Sequence, residues 1–169
     1  MDKLKEHKVI ILSGATGYVG FQVLVELVKR GYKVFCVGRK LEDKRFLQQS
    51  GVNFLDLDLT SGNLKLDELK KKIPNAFAVI SCLGSRKGGI RDSWNIEYTA
   101  NKNLLDFAQT IKCNKFILLS AICVQKPRLC FQKAKLAFEK ELKASNLEYS
   151  IVRPVSYTHL RCRRLGMCR

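Results

Sequence analysis

Three evenly spaced glycines near the start of the chain offer backbone groups that could bind phosphate. Gly14, Gly17 and Gly20 follow an apolar, β-branched run at residues 9–12 and open a helical pattern at residues 18–30. Glycines at such a junction let backbone N–H groups approach a diphosphate, which then faces the positive end of the helix dipole. The pattern predicts a dinucleotide-binding turn, and the alternative is a merely tight turn between strand and helix.

Charged residues at two later strand ends refine this prediction. Strand two ends in Arg39 and Lys40, where an NAD-specific site usually carries an acid for the ribose 2′-hydroxyl. Cations there favour a 2′-phosphate, so NADPH is the predicted cofactor, although Arg39 could also be an ordinary solvated charge. Asp58, after strand three, is expected to accept a hydrogen bond from the adenine amine or else to cap the following turn.

Regular alternation of strand and helix patterns predicts the fold that positions these residues. The candidate strands are 8–13, 32–37, 52–55, 76–82, 115–120 and 147–152. The candidate helices are 18–30, 42–50, 64–72, 93–111 and 128–145. This alternation predicts an α/β fold with a doubly wound parallel Rossmann-type sheet of order 3-2-1-4-5-6. Ligands of such sheets bind at the carboxyl ends of the strands, so the predicted loop 84–92 borders the site.

Composition narrows the class of protein. A chain of 169 residues with 46% hydrophobic residues can form one domain with a core, and no apolar stretch reaches 18 residues, so no membrane span is expected. The net charge is +16, but the cations are spread without a basic–aromatic stripe, and nucleic acid is not an expected partner. The positive field favours a phosphorylated cofactor, a carboxylated substrate or peripheral contact with an anionic membrane.

The cysteines and the N-terminus indicate the compartment. Seven cysteines without a Cys-x-x-Cys pair, and only two histidines, do not form a zinc-site pattern, so no metal is expected. The odd cysteine count indicates reduced thiols in a reducing compartment. The charged N-terminus has no signal-peptide or transit-peptide pattern. A cytoplasmic bacterial protein is expected, with the plastid stroma as the alternative if a leader has been removed.

The last fifteen residues depart from the alternating pattern. Residues 155–169 contain four arginines, two cysteines and no acid, without helical or strand periodicity. We therefore expect an NAD(P)-binding domain at 1–154, followed at 155–169 by an aberrant basic tail from a frameshift or adapter read-through. A genuine basic tail is the alternative. On the first expectation, a C-terminal substrate-binding region is missing.

Three segments resemble one enzyme family. Residues 81–94, 118–127 and 131–135 read SCLGSRKGGIRDSW, LLSAICVQKP and FQKAK. They are similar to the NADPH-dependent divinyl chlorophyllide 8-vinyl reductases, atypical members of the extended short-chain dehydrogenase superfamily. The resemblance implies that NADPH reduces the 8-vinyl group of a divinyl chlorophyllide or protochlorophyllide to ethyl. The alternatives are a non-catalytic NADP-binding assembly or regulatory protein of the same superfamily, or another double-bond reductase.

The resemblance also implies which residues act. The superfamily usually places a tyrosine four residues before a lysine on the helix after strand five, and this chain has Phe131 and Lys135 there. A phenyl ring transfers no proton, which fits the reduction of a C=C bond rather than alcohol oxidation. Lys135 is implied to hold the nicotinamide ribose, with a solvated lysine as the alternative. Ser120, at the end of strand five, is the second candidate catalytic residue, with simple capping as its alternative.

A second Tyr-x-x-x-Lys pattern, Tyr98 with Lys102, lies on the helix after strand four, where packing of the tyrosine is the preferred interpretation. Cys123 and Lys126, in the loop after strand five, are candidates to face the pigment. The proton donor stays open between water and the missing region. The full set of predicted cofactor-binding residues is Gly14, Thr16, Gly17, Tyr18, Val19, Gly20, Arg39, Lys40, Asp58, Cys82, Leu83 and Lys135.

Overall fold

Six parallel strands form one sheet in the order β3-β2-β1-β4-β5-β6. The structure, a computed structural model, describes residues 8–39, 51–62, 64–86 and 89–155. The strands are β1 Val9–Ser13, β2 Lys33–Gly38, β3 Val52–Asp56, β4 Ala78–Ser81, β5 Lys115–Leu119 and β6 Glu148–Val152. The predicted fold class and strand order are therefore confirmed.

Helices connect the strands. They are α1 Tyr18–Lys29, α2 Leu66–Lys72, α3 Ile90–Ser93, α4 Ala100–Thr110 and α5 Cys130–Ala144. A π-helical turn, Trp94–Thr99, joins α3 to α4, and Ile122–Gln125 forms a short 3-10 turn after β5. The predicted loop 84–92 is wrong at its end, because helix begins at Ile90 directly after an extended Gly89. The predicted helix at 42–50 lies outside the described residues.

The core lies on both faces of the sheet because the central strands are buried on both sides. Alternate residues of β1 enter different clusters: Ile10 and Leu12 pack on one face and Ile11 packs on the other. Leu24 of α1 covers the first face, while Leu104 of α4 and Phe138 of α5 cover the second. This burial explains why the strands read as apolar runs rather than as alternating patterns.

The turn after β1 packs tightly against the end of β4. Gly14 has a φ of +80°, and a β-carbon at this position would overlap the carbonyl group of Cys82. The N–H of Gly17 donates to the carbonyl oxygen of Gly14 at 3.0 Å, and a β-carbon on Gly20 would overlap that same carbonyl. The glycines therefore allow three backbone segments to meet where side chains would not fit.

Two findings concern membranes and metals. Across the described ranges, no helix is both long and apolar enough to cross a bilayer. The same residues contain no group of three or more histidine, cysteine or acidic side chains placed to hold a metal ion.

We expect Gly14→Ala to destabilise the chain far more than Gly31→Ala. Both glycines have nearly the same positive φ, +80° and +79°, but a β-carbon at Gly31 meets no described atom within 4 Å. Gly31→Ala should therefore cost only the left-handed backbone penalty of about 1 to 2 kcal/mol. Gly14→Ala should add an overpacking cost of about 1 to 3 kcal/mol against the backbone of β4. Urea denaturation of both variants measures the difference, and equal losses would contradict the close approach.

Candidate functional site

The start of α1 presents an unneutralised positive end at the carboxyl edge of the sheet. Gly17 precedes the helix in an extended conformation, and the described first turn of α1 carries no acidic side chain. The start of a helix can bind an anion through its backbone N–H groups. Thr16 and Val19 lie half-buried beside them, and Tyr18 is 48% exposed.

Arg86 reaches this turn from the loop that follows β4. One of its terminal nitrogens, Nη2, donates to the Thr16 hydroxyl at 3.4 Å, although the two residues are 70 positions apart. This brings a guanidinium beside the backbone groups that would hold a diphosphate. Nothing in the sequence distinguishes Arg86 except its place in a loop that borders the predicted site.

Arg39 and Asp58 face each other after neighbouring strands β2 and β3. The guanidinium Nη1 lies 3.7 Å from the carboxylate Oδ2, and both side chains are about half exposed. Asp58 also accepts hydrogen bonds from the Thr60 hydroxyl, at 2.6 Å, and the Thr60 N–H, at 2.9 Å. These bonds, with the nearby Arg39 charge, lower the pKa of Asp58.

Asp58 therefore caps its turn, which is the alternative interpretation given above. An exposed ion pair contributes little to stability, so the Arg39 guanidinium can bind another anion at small cost. Lys40, predicted beside Arg39, lies outside the described residues.

Hydrogen bonds connect the end of β4 to α4 and to the end of β1. The Ser81 hydroxyl donates to the Asn101 side-chain oxygen at 2.5 Å, and the Cys82 N–H donates to the Ser13 carbonyl at 2.9 Å. Burial raises the pKa of the Cys82 thiol to about 11, so the group is a neutral thiol at physiological pH. The Cys82 contribution to a ligand would thus come from backbone rather than from a thiolate.

Lys135 is buried at this same edge and paired with an acid. Its Nζ lies 2.7 Å from Oε2 of Glu97, with the lysine side chain 9% and the glutamate side chain 2% exposed. The ammonium also donates to the carbonyl oxygens of Leu83 and Leu119, each at 3.4 Å. The other carboxylate oxygen, Oε1, accepts the N–H and the hydroxyl of Ser85 at 2.8 and 3.1 Å.

Lys135 therefore is not a solvated helix lysine. Glu97 was missed by the sequence analysis, because nothing in the periodicity distinguishes it from the exposed acids of surface helices. Glu97 lies within the π-helical turn, and its side chain is directed inward. Such turns are rare in proteins, and those that occur are often found at functional sites.

Ser120 belongs to a second buried network. Its hydroxyl donates to Oε1 of Glu139 at 2.6 Å, and the Arg153 guanidinium donates to both carboxylate oxygens. Burial alone would raise the pKa of Glu139, but the hydrogen bonds from Arg153 and Ser120 bring it below its ordinary value. These contacts give the hydroxyl a structural partner, and the predicted catalytic role of Ser120 stays a prediction.

The second Tyr-x-x-x-Lys pattern does not form a functional pair of side chains. The Tyr98 hydroxyl donates to Glu141 at 3.3 Å, and its ring meets the edge of Trp94 with centroids 5.7 Å apart. The Lys102 ammonium instead pairs with Asp106 at 2.9 Å. The two residues therefore have separate partners, as the packing interpretation predicts.

A cleft of about 480 Å³ opens between the 3-10 turn after β5 and the start of α5. The side-chain oxygen of Gln132 accepts the N–H groups of Arg128 and Leu129, at 2.7 and 2.9 Å, and so holds the loop. The cleft combines apolar side chains with cations, and it includes both residues predicted to face the substrate. Its lining residues are Ile122, Cys123, Gln125, Lys126, Arg128, Leu129 and Gln132.

Comparison with known sequences identifies relatives in plants. Divinyl chlorophyllide a 8-vinyl-reductase, chloroplastic, from Arabidopsis thaliana is 42% identical across 88% of this chain and 39% of its own length. Protein TIC 62, chloroplastic, from Pisum sativum is 32% identical across 89% of this chain and 33% of its own length. The chain thus spans about two fifths or less of the length of these relatives.

A solved structure agrees with the fold, and a family model identifies the class of ligand. The Bordetella bronchiseptica enzyme WbmG in complex with NAD superposes with a TM-score of 0.79 at 12% identity. The superposition covers 90% of this chain and 55% of that one, and at this identity it shows the fold alone. Residues 14–161 match the family described as NAD(P)H-binding. The prediction of a nicotinamide dinucleotide cofactor is confirmed, and the chain belongs to this NAD(P)H-binding family.

Proposed function

We propose that the chain is the NADPH-binding part of an oxidoreductase that reduces the 8-vinyl group of divinyl chlorophyllide or protochlorophyllide to ethyl. The observation that carries the proposal is the 42% identity to an 8-vinyl reductase across 88% of the chain. The site supports it, because Lys135 is retained and buried while Phe131 stands where alcohol-oxidising relatives need a tyrosine.

The cofactor lies along the carboxyl edge of the sheet in this proposal. The diphosphate faces the start of α1, where the described first turn lacks an acid, and Arg86 lies above it. The 2′-phosphate binds Arg39, and the adenine lies toward Asp58. The nicotinamide ribose binds Lys135, beside the backbone of Cys82 and Leu83. Lys40 and the remaining turn residues, Gly14, Thr16, Gly17, Tyr18, Val19 and Gly20, complete the proposed contacts.

Different residues have different roles in the proposed reaction. When bound, NADPH supplies the hydride for one vinyl carbon, while a proton completes the other. Lys135 orients the ribose, and Phe131 contributes apolar surface without moving a proton. Ser120, which follows β5 and whose hydroxyl donates to Glu139, is the second candidate catalytic residue. The proton comes from water or from a part of the enzyme beyond this chain.

The cleft beside α5 receives the pigment. Its Ile122 and Leu129 side chains offer apolar surface to a flat macrocycle, and Lys126 and Arg128 add two cations. A tetrapyrrole with a propionate side chain carries the complementary negative charge. We propose that the propionate binds at these two cations.

A second candidate function is a non-catalytic NADP-binding assembly or regulatory protein. The similarity to Protein TIC 62 from Pisum sativum, at 32% identity, and to the photosystem II assembly factor Ycf39 from Cyanophora paradoxa, at 28%, favours it. The names of several plant relatives place those proteins in chloroplasts, so we propose the plastid stroma as the location, with a bacterial cytoplasm as the alternative. The net charge of +16 supports peripheral contact with an anionic membrane.

A chimera tests the proposed reaction. In the Arabidopsis thaliana relative, the segment that aligns with residues 8–155 is replaced by this chain, and the product is incubated with NADPH and divinyl chlorophyllide a. We expect the Soret band to move to shorter wavelength as NADPH is consumed, since loss of the vinyl group shortens the conjugated system. The parent relative is the positive control. A folded chimera that binds NADPH and leaves the pigment unchanged would favour the assembly-protein alternative.

Arg39→Ala should change cofactor preference. Loss of a charge-assisted hydrogen bond to the 2′-phosphate should raise the Kd for NADPH about tenfold or more, while the Kd for NADH stays unchanged. Fluorescence titration of the chain with both cofactors measures this. Arg30→Ala is the matched control. Arg30 is an exposed arginine paired with Glu26, and it lies at the end of α1 away from the glycine-rich turn. Equal weakening of NADPH and NADH binding would contradict the assignment.

Removing both cations of the cleft should weaken pigment binding without affecting the cofactor. In the chimera, the double variant Lys126→Ala/Arg128→Ala should raise the KM for divinyl chlorophyllide a about tenfold and leave the Kd for NADPH unchanged. The methyl ester of the pigment should not respond to the variant, since it lacks the propionate charge. Lys70→Ala/Lys71→Ala, on the exposed side of α2, removes the same charge elsewhere. An equal effect of the control pair would assign the loss to net charge alone.

A further inference from the structure

We propose that Glu97 is the positioning residue for Lys135 in a site that has no tyrosine at position 131. This inference rests on the proposed function, because it concerns the lysine that would hold the nicotinamide ribose. The observation behind it is the contact between Glu97 Oε2 and Lys135 Nζ at 2.7 Å, with both side chains at least nine-tenths buried.

Burial makes the two charges depend on each other. A buried ammonium or carboxylate without a partner is strongly unfavourable, because it loses its hydration without a compensating contact. Lys135 and Glu97 therefore offset each other's burial through their close contact. Without this acid the buried lysine would have no oppositely charged partner, and exposing it to solvent would displace Nζ from the carboxyl edge.

The hydrogen bonds of the ammonium group show how the pair would admit a cofactor. An ammonium has three N–H donors, and Lys135 directs two of them to the carbonyl oxygens of Leu83 and Leu119. Its contact with Oε2 of Glu97 is an ion pair, and that oxygen accepts no hydrogen bond from the described residues. The contact to Glu97 is short, whereas the two to the carbonyl oxygens are long, at 3.4 Å each. Ribose hydroxyls can replace the two long hydrogen bonds while the ion pair with Glu97 keeps Nζ in place.

The second carboxylate oxygen of Glu97 connects the lysine to the loop after β4. It accepts both the N–H and the hydroxyl of Ser85, and the next residue, Arg86, reaches the glycine-rich turn at Thr16. A single carboxylate thus fixes the ribose-binding lysine relative to the loop beside the diphosphate-binding turn. Glu97 would thus position the protein groups that contact both the ribose and the diphosphate of the nicotinamide half of the cofactor.

The π-helical turn Trp94–Thr99 gives Glu97 its direction. Asn101, one turn further on, donates to the carbonyl oxygens of Ile96 and Glu97 at 3.3 and 3.0 Å, which supports the backbone of the wider turn. Asn101 in turn accepts the hydroxyl of Ser81 at the end of β4. The distortion of the helix is therefore stabilised by the same strand end that the site uses.

Glu97→Gln tests the proposal in the 169-residue chain through NADPH binding alone. We expect the Kd for NADPH, measured by fluorescence titration, to rise about tenfold, because the amide keeps the shape but loses the charge that holds the ammonium. Glu97→Asp keeps the charge and should recover part of the affinity. Asp106→Asn is the matched control, since it removes another acid–lysine pair of the same helical region that faces elsewhere, and its Kd should be unchanged.

A double variant separates positioning from a merely structural role. Glu97→Gln/Lys135→Met removes both buried charges, so it should fold even if Glu97→Gln does not. Its Kd for NADPH should equal that of Lys135→Met alone, because Glu97 acts only through the lysine. A structural role would instead lower the melting temperature of Glu97→Gln without changing its Kd.

Three outcomes distinguish the positioning role of Glu97 from the proposed cofactor site. If the unchanged chain binds NADPH and Glu97→Gln binds it equally well, the positioning role is overturned while the cofactor site stands. If the Kd changes of Glu97→Gln and Lys135→Met simply add in the double variant, the two residues act independently and the inference is again overturned. Failure of the unchanged chain to bind NADPH would overturn both the proposed function and the role of Glu97.

Discussion

The close approach of the turn after β1 to the end of β4 is the constraint on which the site depends. Gly14 lies so near the Cys82 carbonyl that the space excludes a β-carbon. The two strands are neighbours because the chain crosses from β3, at one edge, over to β4 on the other side of β1. At this switch in strand order, the connections leave the sheet in opposite directions and open the crevice where such folds bind ligands.

Polar groups are concentrated beside this crevice, while the rest of the core is apolar. Two buried carboxylates, Glu97 and Glu139, each have a cationic partner, Lys135 and Arg153 respectively. Buried ion pairs contribute little net stability compared with apolar packing. Their location at one edge of the sheet therefore indicates a requirement of the ligand site more than of fold stability. The Glu139 pair also joins α5 to the segment after β6.

The absence of a tyrosine before Lys135 alters the electrostatics of the site. In the pattern with tyrosine, a lysine lowers the pKa of the phenol and so prepares a proton transfer. Here the lysine faces a carboxylate, and the pair is neutral overall. Such a pair suits the binding of ribose hydroxyls and offers no phenolic acid or base, which agrees with the proposed reduction of a vinyl group.

The strands, the helices and the glycine-rich turn could be predicted from the sequence. Apolar runs and helical periodicity are local properties, so six strands, their order and four of the predicted helices, within the described residues, could be predicted to within a few residues. Gly14, Arg39 and Asp58 could be assigned to the carboxyl edge because each follows a strand, and Lys135 was assigned through the family resemblance.

The side-chain partners could not be predicted from the sequence. The inward turn of Glu97 depends on a local π-helical widening, and the contact of Arg86 with Thr16 joins residues 70 positions apart. Periodicity places a residue on an element, but the direction of its side chain follows from the packing of the whole chain.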